Sequence, residues 1–337
     1  MVPRELLDAL QRSCAPVVIA HVVPDADALG SMLATALAMK CEHSRPMVSL
    51  PQGSLSQKLA FMVDLTGARV ATPADFAAAD AFIVLDTAKK DRCNVERDLK
   101  QTDWSAGRPL LNIDHHETNT RFGAVNWIEP HASSACELVY HVLRAATLPI
   151  SPTMASLLYA GIQTDTIGFS LPSTTPSALR AAGDLVELGA DVGNFGERIW
   201  RSQRKSEFDL LRVIYDNTKI VADGQVAYSS ASFDEIHEAG CTAADIDDQI
   251  NVPRSLDGVR LAMLFSEGRS GKTRINFRSS GSVTVTDLAA EFGGGGHAQA
   301  SGAILDSGLR EAIDRVIPRA VEHVKRFPRS ANAKSEC

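Results

Sequence analysis

Four short apolar runs in the first third of the chain constrain its fold most strongly. Segments with helical periodicity separate them, the clearest being "ALGSMLATALAMKC" at 28–41. Continuous apolar runs of this length are typical of parallel strands buried on both faces. Strands that alternate with helices predict an α/β sheet with helices on both faces. The runs are "VVIAHVV" (17–23), "PMVSL" (46–50), "AFIVLD" (81–86) and "PLLNID" (109–114).

The pattern changes after about residue 195, where a basic helical segment precedes a region dominated by strands. This region predicts a second, smaller α+β domain. The further helices are expected at 134–147, 152–166, 176–189 and 309–326, and the later strands at 225–232, 259–267 and 273–279. The expected division is a catalytic domain at 1–195, a helical connector at 196–220, a second domain at 221–327 and a disordered tail at 328–337.

Composition narrows the class of protein. A hydrophobic fraction of 45% in 337 residues is that of a globular chain with a sizeable core. A net charge of −7 and a pI near 5.7 argue against a broad basic surface for long nucleic acid. The six cysteines form no CxxC pair, as expected in a reducing compartment. With neither an export signal nor a membrane-length apolar run, we expect a soluble, cytoplasmic protein.

Acidic and imidazole side chains follow three of the predicted strands. His21, Asp25 and Asp27 follow the first, Asp86 ends the third, and "DHH" at 114–116 ends the fourth. Asp165 in "GIQTDTIGF" is placed near the end of a mostly apolar helix. In open α/β sheets the ligand crevice lies beyond the carboxyl ends of the strands, so these residues are expected to converge. Taken singly, each has a structural explanation; Asp25 or Asp27, for instance, could cap the next helix.

Convergence of these residues would require bound cations. Two carboxylates about 4 Å apart repel by about 4 kcal/mol at an effective dielectric of about 20, so four clustered acids would oppose folding. Two divalent cations would cancel the charge of Asp25, Asp27, Asp86 and Asp165, and His21 and His115 would add neutral nitrogen donors. Oxygen and imidazole ligands without thiolate suit manganese best, with magnesium, cobalt, iron and zinc as alternatives.

The motifs "HVVPDADALGS", "VLDTA", "NIDHHETN" and "GIQTDTIGF" resemble, in order and spacing, the four motifs of the DHH phosphoesterase superfamily. The segment "EFGGGGHAQASGA" (291–303) resembles the glycine-rich signature of the DHH-associated C-terminal domain. The similarity extends to about residue 327. By length and two-domain layout, the chain is most similar to the nano-RNase/pAp phosphatase type.

The resemblance implies a ligand set and two cations, preferably Mn²⁺, in each subunit, with Mg²⁺ or Co²⁺ as alternatives. His21, Asp25 and Asp86 would hold one ion. The other would be held by Asp27, His115, Asp165 and the bridging Asp86. Asp114 would orient the imidazoles, and His116 would face the substrate phosphate or the attacking water.

The substrate contacts are expected in two segments. Ser133 and Ser134 start a helix whose free N–H groups could hold an anion, although a simple N-cap role is an equal alternative. In the second domain the glycine run, including Gly294, Gly295 and Gly296, would let the backbone approach a ligand, and His297 and Arg278 would donate to a phosphate. The alternatives are a flexible hairpin for the glycines and a solvated strand residue for Arg278.

The resulting expectation is a phosphodiesterase with its active site in a cleft between the domains. It would hydrolyse RNA of two to five nucleotides to nucleoside monophosphates and also convert 3′-phosphoadenosine 5′-phosphate (pAp) to AMP. Long nucleic acids and membranes are not expected as partners, and a homodimer is compatible with the resemblance. The alternatives are a cyclic di-AMP phosphodiesterase and a nucleotide-binding regulator without catalysis, although a regulator should have lost metal ligands.

Overall fold

In the computed structural model, which describes residues 1–40, 46–242 and 245–328, the apolar runs form a parallel sheet. Its strand order is β2-β1-β3-β4-β5, and each neighbouring pair is parallel. The central strands β1, β3 and β4 are those that precede the polar segments. The five strands are β1 (Val17–Ile19), β2 (Met47–Val48), β3 (Phe82–Leu85), β4 (Leu110–Asp114) and β5 (Val125–Ile128).

Both faces of this sheet are buried. Alternate residues of one strand enter different cores, so that Ile83 packs in one and Phe82 in the other. The first core includes residues of α2, α6 and α7, and the second includes Phe76 of α4 and Trp104. The helices are α1 (Arg4–Arg12), α2 (Ala26–Met39), α3 (Ala60–Thr66), α4 (Pro73–Ala78), α5 (Arg97–Lys100), α6 (Ala135–Ala145), α7 (Pro152–Asp165), α8 (Pro176–Glu187) and α9 (Val192–Trp200).

A second compact unit begins at Gln203. Its sheet has the order β10-β11-β9-β8-β7-β6, in which β7 and β8 are parallel and the other pairs antiparallel. The elements are α10 (Lys205–Asp216), β6 (Lys219–Val221), β7 (Val226–Ala231), α11 (Phe233–Glu238), α12 (Asn251–Arg254), β8 (Leu261–Glu267), β9 (Thr273–Ser279), α13 (Thr286–Ala290), β10 (Gly295–His297), β11 (Ala300–Leu305) and α14 (Leu309–Lys325).

The structure confirms the predicted fold class, a helix-flanked parallel sheet followed by an α+β unit. The prediction omitted β5 and β6, and it treated the segment of β10 and β11 as an irregular glycine run. Within the predicted connector, 196–220, the structure has the end of α9, all of α10 and the start of β6. Most of the predicted tail, 329–337, lies outside the described residues. None of the helices described is both long and apolar enough to cross a bilayer.

Candidate metal centre

The carboxyl edge of the first sheet collects the polar side chains expected there. The neighbouring strands β1, β3 and β4 are followed by His21, by Asp86 and by the segment 114–116. Because these strands are parallel, all three segments emerge at the same edge. Two helix ends complete the site, since α2 begins after its N-cap Asp25 and α7 ends at Asp165.

Asp86 lies at the centre of this group. One of its carboxylate oxygens, Oδ2, is 3.4 Å from Nε2 of His21, and the other, Oδ1, is 3.4 Å from Nε2 of His115. The residue is buried and has a φ of +49°, a conformation that costs a non-glycine residue about 1–3 kcal/mol. Its Oδ1 accepts no hydrogen bond from the described residues. A buried carboxylate is costly without positive charge beside it, which protonated imidazoles or a bound cation would supply, so Asp86 fits the role of a metal ligand.

Three overlapping clusters of potential ligand atoms form around Asp86. Within each cluster the atoms lie within 4.8 Å of one another; the clusters are His21, Asp25 and Asp86; Asp27, His115 and Asp165; and Asp86, Asp114, His115 and His116. The first two contain the ligands that the resemblance implies except that Asp86 is not in the second, although Asp86 Oδ1 approaches His115 of that cluster. The donor chemistry fits a pair of hard or borderline divalent cations. The assignment of each ligand to an ion stays a prediction.

Asp25 also has the structural role that the sequence left open. Its Oδ1 accepts hydrogen bonds from the N–H groups of Asp27 and Ala28, both at 3.0 Å, and so caps α2. The cap fixes the carboxylate beside His21, whose Nε2 is 3.9 Å from the same oxygen. Because both N–H groups donate to Oδ1, the lone pairs of Oδ2 can bind a cation, so capping and metal binding are compatible at Asp25.

Without cations, protons balance part of the charge in this site. Burial lowers the pKa of His21, but its contacts with Asp86 outweigh burial and raise the pKa to about 9. At His115 burial is likewise outweighed by the neighbouring carboxylates, and the pKa rises to about 10. Burial raises the pKa of Asp165 to about 6. For Asp86, burial is outweighed by the two histidines, which hold its pKa below the usual range.

The metal-free protein should therefore lose stability as pH rises. The stability contributed by the protons on His21 and His115 is fully present below their unfolded pKa of about 6.5. It is lost as pH rises through the folded values of about 9 and about 10. Ionisation of Asp165 near pH 6 adds to the loss, because its folded pKa lies above its unfolded value of about 3.9.

Cations replace these protons, so Mn²⁺ should raise the Tm more at pH 8.5 than at pH 6.0. Thermal unfolding of EDTA-treated protein with and without Mn²⁺ measures this difference at each pH. The Asp86→Ala variant serves as the control and should show a much smaller Mn²⁺ effect at both values. An equal or smaller shift at pH 8.5 in the unmodified protein would contradict this account of the site.

Asp114 fixes the orientation of His116. The carboxylate is fully buried and its Oδ1 lies 2.7 Å from Nδ1 of His116 and 2.9 Å from the N–H of His115. Because a carboxylate only accepts hydrogen bonds, Nδ1 of His116 carries the proton, and Nε2 is left to exchange protons with a ligand. The same hydrogen bond raises the pKa of His116. The imidazole of His116 is therefore held in a fixed orientation at the edge of the candidate metal cluster.

Asn119 is a positioning residue that the sequence analysis did not identify. Its Nδ2 donates to Oδ2 of Asp114 at 2.6 Å, and it lies 2.8 Å from Oδ1 of Asn112 and 3.1 Å from the carbonyl of Thr87. The amide thus ties Asp114 to the loop after β3. The signal was present at the end of "NIDHHETN", but an asparagine after a strand is most often a turn former.

The two serines expected at the substrate are used inside the protein. Both are buried, and Ser134 caps α6 by accepting a hydrogen bond from the N–H of Glu137. Ser133 donates through its N–H and its hydroxyl to Oε2 of Glu137, each at 2.7 Å. Ser134 therefore has the N-cap role, and the expected substrate role of Ser133 and Ser134 stays a prediction. The anion at the start of α6 is the side chain of Asp27, whose carboxylate accepts the next two N–H groups.

The glycine run forms part of a β-hairpin. Gly295 pairs with Gly302 and Gly296 with Ser301 in the antiparallel ladder of β10 and β11. A Cβ at Gly294 would lie 2.1 Å from the carbonyl of Gly302, so this glycine is required by the close approach of the backbones. A Cβ at Gly295 would meet nothing within 4 Å. Only Gly295 of the three predicted contact glycines is therefore free of a packing requirement.

Arg278 lies in β9, level with the residues at the end of the β10–β11 hairpin. Ala300 of β11 pairs with Arg278 on one side and with the backbone of His297 on the other. The Arg278 guanidinium donates from Nη1 to the carbonyl of Phe277 at 3.0 Å. The side chain of His297, a predicted donor, lies outside the described part of the structure.

Comparisons with known proteins agree with this architecture. A family model described as the DHH family, N-terminal domain, matches residues 16–162, and a DHHA1 domain model matches residues 223–327. A bifunctional oligoribonuclease and PAP phosphatase NrnA of Bacillus subtilis is 27% identical and covers 88% of this chain and 90% of its own length. The protein of the same name from Thermus thermophilus is 25% identical, with 96% and 93% covered.

A solved structure shows the same fold. It is an exopolyphosphatase-related protein from Bacteroides fragilis, 24% identical, with a TM-score of 0.86 and 96% of each chain covered. Together the two domain models account for three quarters of the residues, and their order along the chain is that of the two compact units. The chain therefore carries a DHH family domain followed by a DHHA1 domain.

Proposed function

We propose that this chain is a metal-dependent phosphodiesterase that degrades RNA of two to five nucleotides to nucleoside monophosphates and converts pAp to AMP. The observation that carries the proposal is the convergence of six carboxylate and imidazole ligands at one sheet edge. Relatives that align over most of their length are named oligoribonuclease and PAP phosphatase, which supports the substrate class. Scattered, free cysteines support a reducing compartment such as the cytoplasm.

The proposed cations are Mn²⁺, with Mg²⁺ or Co²⁺ as alternatives. His21, Asp25 and Asp86 would hold one ion, and Asp27, His115 and Asp165 the other, with Asp86 shared. When bound, such cations activate water near neutral pH and neutralise charge that develops on phosphoryl oxygens.

The protein's own residues supply orientation and proton transfer. Asp114 holds Nδ1 of His116, so that Nε2 can donate a proton to a phosphoryl or leaving-group oxygen. Asn119 keeps Asp114 in place through its 2.6 Å hydrogen bond. We also propose that Arg278 and the hairpin at Gly295, Gly296 and His297 bind a substrate phosphate. The planar guanidinium of Arg278 suits a phosphate, to which it can donate two parallel hydrogen bonds.

A substrate panel tests the proposal. Metal-stripped and Mn²⁺-restored protein should be offered pApA, pAp, a long RNA, pyrophosphate and cyclic di-AMP, with products resolved by chromatography. We expect AMP from pApA and from pAp only after Mn²⁺ is restored. Preference for cyclic di-AMP would support the cyclic-dinucleotide alternative, and preference for long RNA or pyrophosphate would overturn the assignment. Light scattering on the same preparations tests the proposed homodimer.

Substitutions at two neighbouring glycines of the hairpin distinguish an effect on substrate binding from an effect on folding. Gly294→Ala should destabilise the second unit by about 3 kcal/mol, because its Cβ would collide with backbone that cannot yield. Gly295→Ala should leave the Tm unchanged, since its new methyl group meets nothing within 4 Å. The same methyl group would keep a substrate phosphate away from the hairpin backbone, so KM for pApA should rise severalfold. Chemical denaturation and steady-state kinetics measure both effects. An unchanged KM for Gly295→Ala would remove the hairpin backbone from the proposed substrate site.

A further inference from the structure

The carboxylate of Asp27 is bound by the protein before any cation arrives. Its Oδ2 accepts the N–H of Ala135 at 2.7 Å and its Oδ1 accepts the N–H of Cys136 at 2.8 Å. Both donors belong to the first turn of α6, an 11-residue helix. Each carboxylate oxygen keeps a second lone pair, so these bonds orient the group without preventing it from binding a cation.

The start of α6 also addresses an electrostatic problem. Asp27 is 1% exposed, and its carboxylate lies within 4.8 Å of a carboxylate oxygen of Asp165. A helix N-terminus carries roughly half a positive charge, concentrated on its unpaired N–H groups. Two of those groups point at Asp27. The helix therefore stabilises the charged form that a metal ligand must have.

The space for this carboxylate comes from an absent side chain on α7. A Cβ built on Gly161 would lie 2.7 Å from Oδ1 of Asp27 and 2.2 Å from Sγ of Cys136. Helix α2 also packs closely against α7, because a Cβ built on Gly30 of α2 would lie 2.6 Å from the carbonyl oxygen of Leu157 in α7. Any side chain at Gly161 must therefore displace Asp27, Cys136 or a helix backbone.

We infer that Gly161 and the N–H of Ala135 are positioning elements for Asp27, and that they control the affinity of one cation of the pair. That cation is the one expected at Asp27, His115 and Asp165. The ion expected at His21 and Asp25 should be less affected, because the three atoms nearest to a Cβ at Gly161 belong to Cys136 and Asp27, and the N–H of Ala135 donates to Asp27. The inference rests on the proposed two-cation site and adds to it two positions that carry no ligand atom.

The first test is Gly161→Ala, with Gly183→Ala in α8 as the matched control. A Cβ on Gly183 would meet nothing within 4 Å, so the control adds the same methyl group to a helix without a collision. Titration with Mn²⁺, followed by the electron paramagnetic resonance of the free ion, counts tight and weak sites. We expect two tight ions in the unmodified protein and in Gly183→Ala. In Gly161→Ala one ion should bind at least about tenfold more weakly while the other is retained.

Two further variants separate positioning from packing. Ala135→Pro deletes one N–H donor at the first helical position, where proline is well tolerated and where α4, α7 and α8 already have it. Ala135→Pro should likewise weaken the binding of one Mn²⁺ ion and leave the other ion tightly bound. Gly161→Ala combined with Cys136→Ala removes the sulfur collision but leaves the 2.7 Å approach to Asp27. This double variant should regain Tm and still bind one ion weakly.

The outcomes distinguish this inference from the proposed function. Failure of the unmodified protein to bind two ions would refute the two-cation site itself. Two tight ions in Gly161→Ala, equal weakening of both ions, or recovery of tight binding in the double variant would overturn the positioning role. Loss of folding in both Gly161→Ala and Ala135→Pro would also count against it, because a packing role would then explain the contacts.

Discussion

Asp86→Ala is expected to abolish hydrolysis of pApA and pAp while the protein stays folded. Asp86 is the residue whose two carboxylate oxygens face His21 and His115, and it is predicted to touch both cations. Metal ions supply several kcal/mol of charge stabilisation, so losing their shared ligand should lower kcat/KM on the order of a thousandfold or more. Single-turnover assays with Mn²⁺ measure the loss, and circular dichroism monitors the fold.

The matched control for this substitution is Asp91→Ala. Asp91 is an exposed carboxylate in the short 3₁₀ helix (Lys90–Arg92) that follows the same strand, β3, and it belongs to none of the three ligand clusters. Its replacement should change kcat/KM by less than about twofold, as surface substitutions usually do. Near-normal turnover in Asp86→Ala would contradict a mechanism that depends on a shared ligand.

His116→Gln is expected to lower kcat on the order of a hundredfold with little change in Mn²⁺ affinity. The imidazole is held through Nδ1 by Asp114 at 2.7 Å, and general acid–base catalysis typically contributes at least about a hundredfold. Because the hydrogen bond to Asp114 raises the pKa of His116, activity that needs the protonated ring should fall as pH rises through that pKa. In Asp114→Asn this alkaline limb should move to lower pH. Measurement of kcat against pH for the three proteins tests the shift.

The control for this residue is His237→Gln, which changes an exposed histidine of α11 in the second unit. It should leave kcat and the pH profile unchanged. If His116→Gln lost Mn²⁺ binding instead of turnover, His116 would be a ligand and not a proton donor. An alkaline limb that does not move in Asp114→Asn would break the predicted link between the buried acid and the ring.

Much of the first unit could be predicted from the sequence because its physical signals are local. Strands buried on both faces are unbroken apolar runs in the sequence, so the polar residues at their ends could be identified as candidate site residues. Parallel topology then placed His21, Asp86 and Asp114 at one edge without further information. The two-residue strand β2 was predicted as five residues, because apolar character continues beyond the paired positions.

The second unit and the details of the site depend on contacts between distant residues. The strand character of β10 and β11 comes from pairing across the glycines, which local propensity opposes. The sequence left an anion site and a simple N-cap as equal alternatives at the start of α6, and the anion found there is Asp27, more than one hundred residues earlier in the chain. No sequence pattern around Ser133 and Ser134 indicates that partner. Asn119 could not be identified for the same reason. Its role comes from its contact with Asp114, which its position in a turn does not reveal.

Anomalous diffraction at the manganese edge from crystals soaked in Mn²⁺ tests the two-cation site most directly. Two peaks about 3.5–4 Å apart, bridged by Asp86 and flanked by the remaining ligands, are the predicted result. Those ligands are His21, Asp25, Asp27, His115 and Asp165. Absence of manganese from this sheet edge, or a single ion that Asp86 does not touch, would contradict the account.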